Sequence, residues 1–215
     1  IAKKHIAQQH VQLAPSNTMR VLLAGSIHPG EDQVYLELFA KLKSEFPTLK
    51  LVLAPRHFKW QAALERSVQD TQFSFFTWTE TTQHNTLQTI LESHDIVLVC
   101  KLGELFNLYP MAELFFLGGT FVPVGGHNLL EPAAWGTPSI VGPHHQNCAD
   151  IIATLKPLNG IVTVANKEEL YQQTRTLLSD DALRHQIGAA SKAWVGQEAE
   201  RVERALDTVI KQLKV

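Results

Sequence analysis

The feature that most constrains this chain is a repeating order: a short apolar run, a polar turn, then apolar positions at helical spacing. The runs fall at residues 20–25, 50–54, 95–99, 114–117, 139–142 and 161–164, with a weaker one at 73–76. Each is too short for a helix and apolar at successive positions, the pattern of a strand covered on both faces of a parallel sheet. Between them, Val34, Leu36, Leu38, Phe39 and Leu42 fit a helix, as do residues 59–68, the stretch ending near Tyr109, residues 128–135 and the segment after Asn147. Residues 77–94 are the least patterned, with a short helix around Leu87, Ile90 and Leu91. Helical spacing then runs from Lys167 to the end, with breaks expected near Ser179-Asp180 and around Gly196. Strand alternating with helix over the whole length predicts an α/β fold: a Rossmann-like, doubly wound, mostly parallel sheet. One such domain accounts for residues 19–215. Residues 1–18 are polar, carry Pro15-Ser16-Asn17 before the first strand, and read as a linker from whatever precedes them.

Composition narrows the function by exclusion. The chain has 215 residues and a formal charge of −2, enough for a full core and without the strongly basic face that holds nucleic acid. Cys100 and Cys148 have no C-x-x-C spacing, which suggests neither a zinc site nor a disulfide, and reduced thiols fit a cytoplasmic protein. No apolar run approaches the roughly 20 residues of a membrane span. The chain opens on Ile1, and a longer protein is expected to precede it. No G-x-G-x-x-G follows the first strand, no Walker lysine loop is present, and no G-x-S-x-G elbow appears. That tells against a dehydrogenase, a phosphate-loop ATPase and an α/β-hydrolase.

The unusual polar clusters all follow strands: residues 26–31, 55–58, 102–104, 125–131 and 142–147. In an open parallel sheet ligands bind beyond the carboxyl ends of the strands, so one pocket is the economical explanation for five clusters on one rim. The centre is residues 118–138, where the run 114–117 ends in Gly118-Gly119, and Gly125-Gly126 precedes a helix stopped by Gly136 and Pro138. Strand, glycine-rich loop and helix start bring backbone N–H groups to a place where a phosphate can sit. Asn128 with Glu131 three residues on has the spacing of a capping box. Glu131 therefore has two readings: a cap on its own helix, or an acceptor for a ribose diol at the mouth of a nucleotide pocket. Arg56, after a strand and a proline, can face an anion or a base edge, or be a solvated arginine. His28 and His127 sit in loops, as ordinary histidines do. His57, His144 and His145 lack paired helical spacing and a carboxylate partner, so a metal is not expected. Glu104 opens a helix, where its charge suits the dipole.

Taken together and in order, Ser26-x-His28-x-Gly30-Glu31, Pro55-Arg56-His57, Gly103-Glu104-Leu105 with Tyr109, and Gly125-Gly126-His127-Asn128-x-Leu130-Glu131-Pro132 resemble one family. It is the carboxy-terminal half of the 3-deoxy-D-manno-octulosonic acid (Kdo) transferases, the lipid A Kdo transferases of Gram-negative bacteria. Gly142-Pro143-His144 with Asn147, and Asp150-Ile151, extend the likeness, which runs from about residue 18 to the end. The resemblance implies the carboxy-terminal lobe of a glycosyltransferase B fold, holding the donor CMP-Kdo. The lobe before it would carry the acceptor surface for a lipid A precursor, a membrane-associating patch and the catalytic base, so that this half alone does not turn over. The intact enzyme would be inverting, need no cofactor or metal, and work at the cytoplasmic face of the inner membrane. Carried over by motif, CMP contacts fall on Pro55, Arg56, Leu102, Gly103, Glu104, Asn128, Leu129, Leu130 and Glu131. Ser26, His28, Lys101, Gly125, Gly126 and His127 stand as phosphate or sugar contacts. Two departures stand out: Ile27 replaces a usual threonine, and Cys100-Lys101-Leu102 a more usual Asp-Thr-Met. The rival readings are a B-type transferase or epimerase using UDP-sugars, and a non-catalytic nucleotide-binding module.

Overall fold

A computed structural model of the chain describes residues 19–82 and 86–213, so the linker expected at residues 1–18 lies outside the described residues. Seven strands form one sheet: β1 (Arg20–Ile27), β2 (Leu49–Pro55), β3 (Phe75–Thr79), β4 (Ile96–Cys100), β5 (Leu114–Leu117), β6 (Ser139–Val141) and β7 (Val162–Thr163). Their order across the sheet is β3-β4-β2-β1-β5-β6-β7, and every pairing is parallel. Alternation of side chains sends Leu22 and Ala24 of β1 to one face and Val21 and Leu23 to the other, each into its own core. That is why the strands read as unbroken apolar runs rather than as alternating ones.

Helices α1 (Glu31–Lys43), α2 (Gln61–Gln69) and α7 (Lys167–Ser179) cover the first face, through Tyr35 and Phe39, Leu64 and Val68, and Leu170 and Leu177. The second is covered by α3 (Leu87–Ser93), the short α4 (Leu105–Leu108) with Tyr109 after it, α5 (Leu130–Trp135) and α6 (Ala149–Leu155). The last helix, α8 (Asp181–Leu213), leans on α5, α6 and α7. The break expected at Ser179-Asp180 is present, and the Asp180 carboxylate caps α8 by accepting the Leu183 N–H at 2.9 Å. The break expected at Gly196 is absent. Gly196 sits inside a continuous 33-residue helix, with open space where a side chain would be. A lone exposed glycine costs a helix about 1 kcal/mol, too little to end one otherwise well supplied with helix formers.

The chain lays down β1 to β4 on one side of β1, then crosses to β5 on the other side. The strand order therefore reverses between β1 and β5. The loops that leave their carboxyl ends open a crevice there, where this class of sheet binds ligands.

Candidate functional site

At the end of β1 the register slips between Gly25 and Ile27, and Ser26 takes φ 57°, a left-handed conformation that a side chain occupies only at a cost. The bulge turns Ser26 into the crevice and starts the loop carrying His28. At the end of β5, Gly118 passes so close to this bulge that a Cβ there would meet the Ser26 carbonyl oxygen at 2.2 Å. Only glycine fits at Gly118 for that reason, not for its conformational freedom.

The loops after β1 and β5 are tied together at two points. His28 Nε2 and His127 Nε2 are 2.7 Å apart, one ring donating and the other accepting. Behind them, the Glu31 carboxylate is fully buried and accepts four backbone N–H groups, from His28 (2.8 Å), Gly119 (2.7 Å), Thr120 (3.0 Å) and Phe121 (2.9 Å). The glycine loop is held from its far side as well. Asn147 donates to the carbonyls of Val124 (3.1 Å) and Gly126 (3.4 Å), and the His144 N–H donates to the Thr120 carbonyl at 2.9 Å.

These bonds correct part of the expected phosphate cradle. The N–H groups of Gly125 and Gly126 both donate to the Gly119 carbonyl, each at 3.0 Å, and those of Gly119, Thr120 and Phe121 are taken by Glu31. The loop serves an anion of the chain's own, so the glycine amides are not free for a ligand. The capping box is also absent. Helix α5 starts at Leu130, and Asn128 Oδ1 accepts the Leu130 N–H two residues on, at 2.9 Å. With Leu129 rather than Asn128 at the N-cap, Glu131 is the second helical residue, one short of the position that a capping box requires. Its Oε2 instead accepts the Tyr109 hydroxyl at 3.3 Å. Pro132 is tolerated because its missing N–H lies among those a helix start leaves unpaired. Leu129, expected at the ligand, is 1% exposed and packs in the second core, so it can offer a ligand only its backbone.

On the β2 side, Ser26, Pro55, Arg56, Lys101, Leu102 and Gly103 line one depression of about 130 Å³. Its far wall is the turn after β4, backed by β3 and the residue beyond it: Lys101 Nζ lies 4.9 Å from the Trp78 ring centroid, and the Leu102 N–H donates to Glu80 at 2.8 Å. Glu104 is not in this wall. It pairs with Lys101 at 3.0 Å and so orients that lysine. Leu102 is 80% exposed and Leu130 45%, an apolar pair left open on the rim. A second recess of about 210 Å³ adjoins it through Pro55 and runs under His28 to Trp60. The structure thus brings six expected residues together, with His28 and His127 beside them. It places Asn128, Leu130 and Glu131 at the head of α5 rather than in the wall of either recess. Another recess, of about 1000 Å³, lies at the opposite ends of the strands beside Met19, Thr48 and Pro138. Arg20–Glu113 and Arg184–Asp181 pairs, each at 2.7 Å, lie in its lining, and none of the expected site residues does.

The electrostatics favour an anion. Burial, and then the charges of His28, Arg56 and His57, push the His127 imidazole down to about 4. Burial also lowers His28, against the pull of Glu31. Both rings are therefore neutral near pH 7 and able to take a proton when negative charge arrives. Tyr109 is pushed well above its usual range by burial and then by the Glu131 charge, which keeps its hydroxyl a donor.

Residues 11–194 match the family model for glycosyl transferases group 1. The chain belongs to that family. Within the group 1 transferases it is 38% identical over 160 residues to a 3-deoxy-D-manno-octulosonic acid transferase of Aquifex aeolicus, covering 74% of this chain and 42% of the relative. The enzyme of the same name from Haemophilus influenzae is 29% identical over 188 residues, 87% of this chain and 43% of the relative. The group 1 domain described here thus spans less than half the length of either. The crystal structure of the C-terminal CMP-Kdo binding domain of WaaA from Acinetobacter baumannii superposes with a TM-score of 0.75 at 25% identity, over 90% of this chain and 97% of that one.

Glu31 and Asn147 are the residues that reading the sequence missed as parts of the site. Glu31 lies inside a quoted motif and Asn147 in the last polar cluster, but nothing local distinguishes a buried loop clamp from a solvated polar residue.

Proposed function

We propose that this chain is the donor-binding half of a Kdo transferase, holding CMP-Kdo while a preceding lobe presents a lipid A precursor. The observation that carries the reading is the superposition on a CMP-Kdo binding domain over nearly that domain's whole length, with the motif residues gathered on one rim. Arg56 and the Leu102–Gly103 turn border the nucleotide, Glu131 accepts from its ribose diol, and His28 and His127 face the phosphate. In the reaction an acceptor hydroxyl attacks the anomeric carbon of Kdo with inversion, and a general base in the preceding lobe takes its proton. The bond from that carbon to the phosphate oxygen breaks, and CMP leaves with the electron pair. Arg56 and a protonated histidine couple offset the charge gained by the phosphate, a role for fixed protein charges rather than a metal. The reaction belongs at the cytoplasmic face of the inner membrane, with the membrane contact made by the preceding lobe.

Calorimetric titration of the chain with CMP and with UDP tests this reading. CMP is expected to bind and UDP to bind far more weakly; the reverse order would make this a UDP-sugar enzyme. Glu131→Ala is expected to weaken CMP binding by about 1–3 kcal/mol, the worth of a charge-assisted hydrogen-bonded group. Equal CMP affinity in a folded Glu131→Ala protein removes Glu131 from the pocket.

A further inference from the structure

We propose that Glu31 is a positioning residue for the donor site, an internal anion that fixes how His28 and His127 face each other. The inference rests on the donor-site reading above, and its test is built to separate the two. Glu31 opens α1, where a carboxylate ordinarily does no more than favour the helix dipole. Here it is fully buried, and among the described residues no lysine or arginine forms an ion pair with it. A buried carboxylate must be held by donors or lose its charge, and backbone N–H groups supply them. One oxygen takes Thr120 and Phe121; the other takes Gly119 and His28. One side chain therefore clamps both loops at the strand-order reversal, and each loop carries one histidine of the couple.

The coupling to the imidazoles is geometric. Gly119 adopts φ +74°, and a Cβ there would lie 3.3 Å from His127 Nε2. The turn that Glu31 holds is thus the wall behind the His127 ring. The same carboxylate fixes the backbone N–H of His28. The 2.7 Å separation of the two Nε2 atoms, with Arg56 and His57 as the charged and titratable neighbours, is set by the point where these two loops are pinned.

The test uses Glu31→Gln and Glu31→Asp in the 215-residue chain, read by NMR titration of His127 and by calorimetry with CMP. In Glu31→Gln an NH2 group replaces an acceptor oxygen and faces N–H donors. The couple is expected to loosen, His127 to titrate at least one pH unit nearer its ordinary 6.5, and CMP affinity to fall about tenfold. Glu31→Asp keeps the charge on a shorter reach and should restore part of both. If Glu31 only stabilises the fold, Glu31→Gln melts lower while His127 and CMP affinity stay as in the parent, and the proposal is overturned. Should Glu31→Gln not fold, hydrogen exchange in the unaltered chain decides. Gly119, Thr120 and Phe121 amides as slow as those of β1 support the clamp, and fast exchange there refutes it. A parent chain that ignores CMP defeats the donor reading alone, because the His127 titration needs no ligand.

Discussion

The Tyr109 hydroxyl donates to Glu131 at 3.3 Å, long for an O–H···O bond, and orients that carboxylate at the head of α5. A ribose diol would therefore meet an acceptor already oriented by a buried donor rather than a freely rotating side chain. The histidines make the complementary case. His127 is held down to about 4, and on the donor-site proposal an arriving phosphate adds negative charge beside it. Through that couple, CMP binding should take up protons between about pH 4 and 6.5, a contribution that raises affinity as pH falls through that window. Calorimetry in two buffers of different ionisation heat measures the uptake. Affinity and heats independent of pH and buffer would place the phosphate away from the couple.

Among the elements, the contact between α5 and α8 decides where the head of α5 points. Gly136 ends α5 at φ +76°, and a Cβ on Gly188 of α8 would lie 2.0 Å from the Gly136 carbonyl oxygen. Gly188→Ala must push the helices apart, with an expected cost of about 1–3 kcal/mol and a lower melting temperature. Because α5 carries Glu131, CMP binding should weaken in the same variant; an unaltered melt would show that the helices have slack. Nothing near Gly188 in the sequence signals this, since its neighbour in space lies 52 positions away. The strands were legible because burial on both faces forces continuous apolar runs. The start of α5 was not, because Asn128 can cap at either of two offsets and tertiary contacts chose between them.

For the molecule as a whole, the lowered histidines and carboxylates point to acid lability. His127 and His28 are lowered when folded, so as pH drops below 6.5 the unfolded chain takes protons that the folded chain refuses. Stability is then lost from about pH 6.5 down to about 4. Asp181, held low by its Arg184 hydrogen bond, adds a further loss as pH falls below the ordinary 3.8. Urea melts from pH 7.5 to 4 should show a steady fall, flattened between 6.5 and 4 in a His127→Gln variant; a flat parent curve would contradict the buried neutral couple. What the sequence alone determined is the layered architecture and the rim on which chemistry gathers. Strand burial, helix period and loop composition are local properties, written in neighbouring residues. Only the tertiary structure decided which N–H groups remain free for a ligand. Glu31 reaches the Gly119 turn across 88 positions, and competition among acceptors for the same donors is resolved only once the loops meet.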